Sequence, residues 1–392
     1  MKALFIHDHP FIKNKLTGEL YTSGNLNSAL WERYLKHFDS VTVIGRCKEE
    51  EDTSRYHLAV KEGVIFNLFT DVVGGADYFK KRKSIEDLLV REIGKHDIII
   101  IRFPATISVF AAEYCIKNNI KYVAEVVGCS WDANWNYGGI APKIIAPYSY
   151  LKMKKAVKEA SATIYVTEEF LQKRYPSNAP LTGHASNVIV HTVDEEALPK
   201  RLDKINSMST IEPIRVGIIG NIAVRYKGYD VLLKAISNLP QEIKTKIQIN
   251  FVGGGDSTYL KSLINVYKLE QQSNIVGKLK AGEEIFNFLD SVDLYVHPSR
   301  QEGLPRVVIE AMSRACPVVA SSVAGTPELL PSEFLHKPGD ATKLAKDIER
   351  VVLDKAIQIR MAKQNFDKSK NYVFSVLEER RESFFKKVKA SF

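Results

Sequence analysis

A chain of 392 residues exceeds what one hydrophobic core usually holds, and two domains of nearly two hundred residues each are expected. A hydrophobic share of 45% and a charged share of 26% are those of an ordinary globular protein and do not indicate disorder. The net charge of +9 and pI near 9.1 favour anionic partners, whether nucleotide phosphates, an acidic membrane surface or nucleic acid, without choosing among them.

Residues 1–6 run directly into His7-Asp8-His9-Pro10, too short a start for a signal-peptide core. No apolar run approaches the roughly 20 residues of a spanning helix, so a cytoplasmic protein is expected. Cys47, Cys115, Cys129 and Cys316 lie far apart without a Cys-x-x-Cys pair, which reads as reduced thiols rather than a zinc site or a redox dithiol. His7, His9 and His184 show no metal-ligand spacing with nearby carboxylates and read as surface or capping residues.

In chain order, residues 2–6, 40–44, 64–68, 97–101, 122–127, 163–166 and 187–190 read as short strands. Residues 27–37, 84–94, 106–118 and 143–159 read as the helices between them. Continuous β-branched runs indicate parallel strands covered by helices on both faces, a doubly wound α/β domain over residues 1–195. Within it, the turn Thr22-Ser23-Gly24-Asn25 is either an acceptor-side loop or a helix cap. Trp131 and Asp132, with Trp135 nearby, read either as a sugar-stacking loop or as a core tryptophan beside a capping aspartate. Basic runs at Lys80-Lys81-Arg82-Lys83 and along residues 143–158 read as solvated faces, with contact to an anionic membrane as the alternative.

Residues 196–212 turn polar and read as a linker. The alternation then resumes over residues 213–370, with strands at 215–219, 246–252, 273–276, 294–297 and 317–320. Helices are expected at 230–237, 257–267, 283–289, 307–314 and 341–354. This is a second domain of the same class, and a cleft between two such domains is the expected ligand site.

Four strand ends in this half carry the chemistry. After the first strand, Gly220 permits close backbone approach, and Arg225 and Lys227 before a helix start make a diphosphate-sized positive site, or else a loop with two solvated cations. It is not a P-loop, because no Lys-Ser or Lys-Thr pair follows the glycines. Gly253-Gly254-Gly255 ends the second strand and either lines a pocket or only turns the chain. Val276-Gly277 offers an edge that could meet a flat base. Glu302 and Glu310, eight positions apart, fall on a loop at a strand's C-terminal edge and two turns into the following helix. Carboxylates there suit the hydroxyl-rich parts of a ligand such as a sugar or ribose.

The succession Gly220…Lys227-Gly228, Gly253-Gly254-Gly255, Val276-Gly277, His297-Pro298-Ser299, Glu302 through Glu310-Ala311-Met312, and Gly325-Thr326-Pro327-Glu328 resembles the nucleotide-sugar half of family 4 retaining glycosyltransferases over about residues 215–330. The resemblance implies a GT-B fold, two doubly wound Rossmann-like domains facing across a cleft, with the helix at about 371–392 returning to the first. It implies an enzyme without metal or cofactor that moves a sugar from a nucleotide-diphosphate donor to a saccharide or lipid-linked saccharide acceptor, in surface-polysaccharide assembly. Lys227 and Arg225 would stabilise the leaving diphosphate. Glu302 would face the donor sugar or the positive charge developing at its anomeric carbon, Glu310 would hold the ribose, and Gly303, Leu304 and Pro305 would adjoin the diphosphate or sugar. The chain departs from the family at Asn221, where an arginine is common, with Arg225 as its stand-in. It departs again at Gly128-Cys129-Ser130, where a sugar-facing histidine is common. A sugar-nucleotide epimerase of the same fold, or a non-catalytic sugar- or nucleic-acid-binding protein, are the rival readings; a membrane surface is a possible partner and nucleic acid is not expected.

Overall fold

The structure, a computed structural model, describes residues 1–24, 26–70, 72, 75–136, 139–209 and 212–392. The chain divides into two compact units, residues 1–185 with 378–392, and residues 186–377.

In the first unit the strands are β1 (Lys2–Asn14), β2 (Leu20–Thr22), β3 (Ser40–Glu50), β4 (His57–Leu58), β5 (Val64–Phe69), β6 (Ile98–Phe103), β7 (Val123–Val126), β8 (Ala162–Tyr165) and β9 (Leu181–His184). Its helices are α1 (Ser28–Leu35), α2 (Gly75–Lys80), α3 (Arg82–Ile93), α4 (Thr106–Lys117), α5 (Ser130–Trp135), α6 (Ala141–Lys158) and α7 (Phe170–Arg174). The parallel order β5-β3-β1-β6-β7-β8-β9 places β1 at the centre. Ile98, Ile99, Ile100 and Ile101 are all buried, as a strand covered on both faces requires.

Two departures from the sequence reading occur here. Strand β1 does not stop at Ile6: after a register irregularity it resumes at Pro10 and carries the antiparallel additions β2 and β4, so His7, Asp8 and His9 lie within a long strand. Residues 187–190 join no ladder; β9 takes the edge, and Val188 and Val190 are buried without strand pairing.

The second unit contains α8 (Ala197–Ser207), β10 (Ile214–Ile219), α9 (Tyr229–Ser237), α10 (Gln241–Lys244), β11 (Ile247–Val252), α11 (Thr258–Tyr267), β12 (Ser273–Gly277), α12 (Glu283–Ser291), β13 (Leu294–His297), α13 (Arg306–Ser313), β14 (Val318–Ser321), β15 (Leu335–His336), α14 (Ala341–Leu353) and α15 (Lys355–Ser369). All strand pairs are parallel, in the order β12-β11-β10-β13-β14-β15. The order reverses between β10 and β13, and in such sheets the crevice beyond that reversal is the ligand site. Ile218, Tyr229, Leu233, Phe251, Val296 and Ile348 are among the residues of its core.

The stretch expected as a polar linker is instead α8, a structured part of the second unit. Arg201, 3% exposed, donates to the carbonyls of Val292 (2.6 Å), Leu289 (2.7 Å) and Arg314 (3.4 Å). Ala197 and Ile205 pack with Ala315, Ala362 and Phe366. The segment looked like a linker because its buried anchor is a charged residue, which apolar periodicity does not count.

The last helix, α16 (Phe374–Ser391), belongs to the first unit from Glu378 on. Phe385 packs against Tyr34 and Phe38 with ring centroids 5.9 Å apart in each case, and buried Glu378 lies between Arg381 (2.7 Å) and Arg33 (3.4 Å). Among the described residues no helix is long and apolar enough to cross a membrane, and no group of three His, Cys, Asp or Glu side chains could hold a metal ion.

Replacing Arg201 by Met leaves buried carbonyls unpaired. Arg201→Met is expected to lower unfolding stability by about 3 kcal/mol, read as a drop in the urea midpoint; an unchanged midpoint would show α8 to be a dispensable tether.

Candidate active site

Two loops leave the sheet at its reversal point. From β10 the chain passes through Gly220 to a short helical turn, Arg225–Lys227, and then Gly228. Gly228 has φ +77°, and a Cβ there would sit 2.1 Å from the Pro298 carbonyl oxygen, so only glycine lets this loop meet the loop after β13. The two are joined further. Arg300 N–H donates to the Tyr226 carbonyl (2.7 Å), and its guanidinium holds Asp230 by two bonds of 2.8 and 2.6 Å.

This junction brings Lys227 and Glu302 together across 75 positions of sequence. Lys227 Nζ lies 2.8 Å from Glu302 Oε1, and His297 Nε2 lies 2.9 Å from the same oxygen. Burial alone would push the Glu302 carboxyl up, but the Lys227 ammonium and His297 together hold it well below the usual carboxylate range. Glu302 is therefore ionised at neutral pH. Glu310, on α13, shows the opposite behaviour: burial raises its pKa and Arg306 offsets only part of that.

Around these acids, Gly303 and Leu304 have N–H groups that make no hydrogen bond among the described residues, while the Gly303 carbonyl accepts from Gly325 (2.9 Å). Pro305 is buried at the N-terminal cap of α13. Arg225 is exposed, and its guanidinium lies over the Tyr259 ring at 4.9 Å; the contact to Glu302 comes from Lys227. Asn221 folds its side chain back onto the Ala223 N–H (2.9 Å).

The glycines divide by role. A Cβ on Gly253 would fall 1.7 Å from the Gly220 carbonyl oxygen, and Ile222 N–H donates to the Gly254 carbonyl (3.0 Å). Gly253 is thus required where one strand-end loop lies on another, whereas a Cβ on Gly254 would meet only the Lys278 side chain at 3.7 Å. Gly277, with φ +90°, meets nothing within 4 Å, and neighbouring Val276 is 40% exposed, so this edge is open.

His297 received no role from the sequence. Its signal was present: a histidine two positions after Tyr295 on a buried strand shares that residue's face and needs a polar partner.

In the first unit, Gly24 N–H donates to Thr22 Oγ1 (3.0 Å), which also meets His9 Nε2 at 2.6 Å. Burial, then Arg102 and Arg46, lower the His9 pKa to about 4, so the ring is neutral. Asn25 lies outside the described residues. Trp131 stacks on Trp135 (5.5 Å, 14°) and meets Tyr150 edge-on, so part of its surface is covered by its own neighbours. Asp132 is half-buried on the same helix. Beside them is a cavity of about 210 Å³ whose walls include Asp8, Thr106, Ser130, Asn134, Tyr148 and Lys152. His184 lies 3.7 Å from Glu168.

A parallel sheet with reversed order, carrying a cation and two acids beyond its reversal point, defines a GT-B glycosyltransferase in combination with the matches the chain makes. The family model for glycosyl transferases group 1 matches residues 213–354. Protein CapJ of Staphylococcus aureus is 35% identical over 356 residues, covering 91% of this chain and 87% of that protein. The amylovoran biosynthesis glycosyltransferase AmsK of Erwinia amylovora is 33% identical over 150 residues, 36% of each chain. Among solved structures, Anabaena HepE in complex with UDP superposes with a TM-score of 0.67 at 17% identity, covering 100% of both chains. The chain belongs to the glycosyl transferases group 1 family and has the GT-B fold.

The raised pKa of Glu310 fixes a sign. A carboxyl whose folded pKa exceeds its unfolded value destabilises the fold above that folded pKa, and the penalty vanishes below the unfolded one. Glu310→Gln is therefore expected to raise the melting temperature at pH 7, with the gain fading as pH falls through the ordinary carboxyl value near 4.5. A pH-independent change would rule out this cause.

Proposed function

We propose that the chain is a family 4 retaining glycosyltransferase, moving a sugar from a nucleotide-diphosphate donor to a saccharide or lipid-linked saccharide acceptor in surface-polysaccharide assembly. The observation that carries this reading is the contact of Lys227 with Glu302 beyond the sheet's reversal point. A cation there is placed to take up charge on a departing diphosphate, and the free N–H groups of Gly303 and Leu304 supply further donors, so no metal is required by this chemistry. Arg225 adds a second cation on the same loop.

In this reading Glu302, ionised, faces the donor sugar and stabilises the positive charge developing at the anomeric carbon. Glu310 accepts from ribose hydroxyls, which offset its burial, and the open edge at Val276 and Gly277 receives the base. The leaving phosphate itself assists deprotonation of the acceptor on the same face, giving retention. AmsK, named for amylovoran biosynthesis, supports the polysaccharide context, and HepE, which holds UDP, supports a nucleoside diphosphate at this fold's site. The first unit supplies the acceptor side, with Gly24, Trp131, Asp132 and the cavity by Asp8 as its candidates.

We also propose a cytoplasmic protein in peripheral contact with the inner membrane face. Four free, buried cysteines fit a reducing compartment. Helix α6 supports the contact. Ile140 before it and Ile144, Tyr148 and Leu151 on it are 78, 73, 55 and 63% exposed, at the spacing of one helix face. Surface helices ordinarily turn such a stripe inward. Its charged residues are lysines, Lys143, Lys152, Lys154, Lys155 and Lys158, with no acid between residues 141 and 158.

A thermal-shift screen of UDP-, GDP- and ADP-linked sugars is expected to find a stabilising donor. Lys227→Met or Glu302→Gln should then cut turnover of that donor by roughly 10²- to 10³-fold; full turnover in both variants would refute the reading. For the membrane contact, the protein should co-sediment with anionic vesicles and not neutral ones, less so at high salt. Ile144→Ser with Leu151→Ser should abolish co-sedimentation, and equal binding by this variant would refute the α6 face.

A further inference from the structure

The donor site as described leaves one question of charge. A Lys227 ammonium drawn toward a diphosphate gives up part of its hold on Glu302, yet Glu302 is largely buried, with its side chain 13% exposed. An ionised, buried carboxylate that loses its cation is strongly disfavoured unless another donor stays in place.

That donor is His297. Its side chain is 3% exposed at the end of β13, so unlike the long Lys227 chain it has no room to follow a ligand. The network around it also assigns its hydrogen. Tyr295 OH lies 3.3 Å from His297 Nδ1. An ionised carboxylate oxygen only accepts, so the Nε2 atom 2.9 Å from Glu302 carries a hydrogen and donates to it. With Nε2 as the donor, Nδ1 is left to accept from the Tyr295 hydroxyl, which favours that tautomer. Both contacts fall on Oε1, and Oε2 makes no hydrogen bond among the described residues, so it is the oxygen open to a ligand hydroxyl.

Resting on the donor reading above, we propose that His297, with its tautomer set by Tyr295, is the positioning residue that keeps Glu302 in its ligand-facing pose after Lys227 has moved to the diphosphate. A histidine that merely fills the core would not distinguish binding of a nucleoside diphosphate from turnover of the sugar donor. A positioning residue does, because Lys227 and the loop amides bind the diphosphate without it, while the sugar-facing acid depends on it.

The test uses the full chain and three variants: His297→Leu, which removes the donor; His297→Gln, which keeps an N–H near the Nε2 position; and Tyr295→Phe, which keeps the ring and frees its tautomer. Affinities for UDP, GDP and ADP are measured by calorimetry, and kcat is measured on whichever sugar nucleotide the unaltered protein consumes. His297→Leu is expected to lower kcat by roughly 10- to 100-fold, the rate equivalent of one hydrogen bond to a charged group. Its affinity for the nucleoside diphosphate should stay within about twofold. His297→Gln should recover most of the rate, and Tyr295→Phe should fall between them. The proposal is overturned if His297→Leu keeps its kcat, if His297→Gln falls as far as His297→Leu, or if diphosphate affinity drops in step with rate. Should His297→Leu fail to fold, Tyr295→Phe decides alone: a lowered kcat at unchanged diphosphate affinity supports the role, and an unchanged kcat overturns it. An unaltered protein that binds none of the three diphosphates and consumes no sugar nucleotide would instead overturn the donor reading beneath it.

Discussion

A single oxygen of Glu302 receives Lys227 from one loop and His297 from the end of a strand, and the second unit is arranged so that this contact can form. The two loops leave adjacent parallel strands at the point where the sheet order reverses, so their side chains converge without any long excursion of chain. They also have to touch, and backbone contact at that distance leaves no space for a Cβ. Gly228 against Pro298 is the position where this requirement is met, and Gly253, after β11, meets the same limit against Gly220. The Arg300–Asp230 pair then ties the loop of the acid to the helix that follows the loop of the cation.

Two acids eight residues apart are driven in opposite directions by their surroundings. Glu302 has a lysine and a histidine within hydrogen-bond reach and stays ionised despite burial. Glu310 has burial opposed only by Arg306, and its proton is held more tightly than usual. Two carboxylates with separated proton affinities can serve two purposes in one site. The fold bears the cost of burying the Glu310 carboxylate.

The first unit uses the same doubly wound plan with different ornament. Its central strand runs on past Ile6 and carries two short antiparallel strands, and His9 is held neutral against Thr22 beneath the Gly24 turn. The polar groups at this strand end are paired with one another, whereas Ile144 and Leu151 on α6 stay exposed.

Legibility in the sequence followed the range of the interactions involved. Strand and helix alternation, the doubly wound class and the Glu302–Glu310 spacing were readable because each depends on residues within a few turns of one another. Helix α8 was not, since its anchor Arg201 finds its partners, the carbonyls of Val292 and Leu289, about ninety positions on. The edge strand was misplaced for a related reason: residues 187–190 have strand-like composition, but pairing with β8 went to Leu181–His184. The sequence by itself determined the doubly wound class and the local spacing of acids, cations and glycines at the strand ends, because these depend on near neighbours in the chain. Only the tertiary structure decided that Lys227, 75 positions before Glu302, reaches it, that Arg225 lies over Tyr259 instead, and that His297 shares the same carboxylate oxygen. Charge pairing between distant loops is set by sheet order and backbone packing, which no short window of sequence contains.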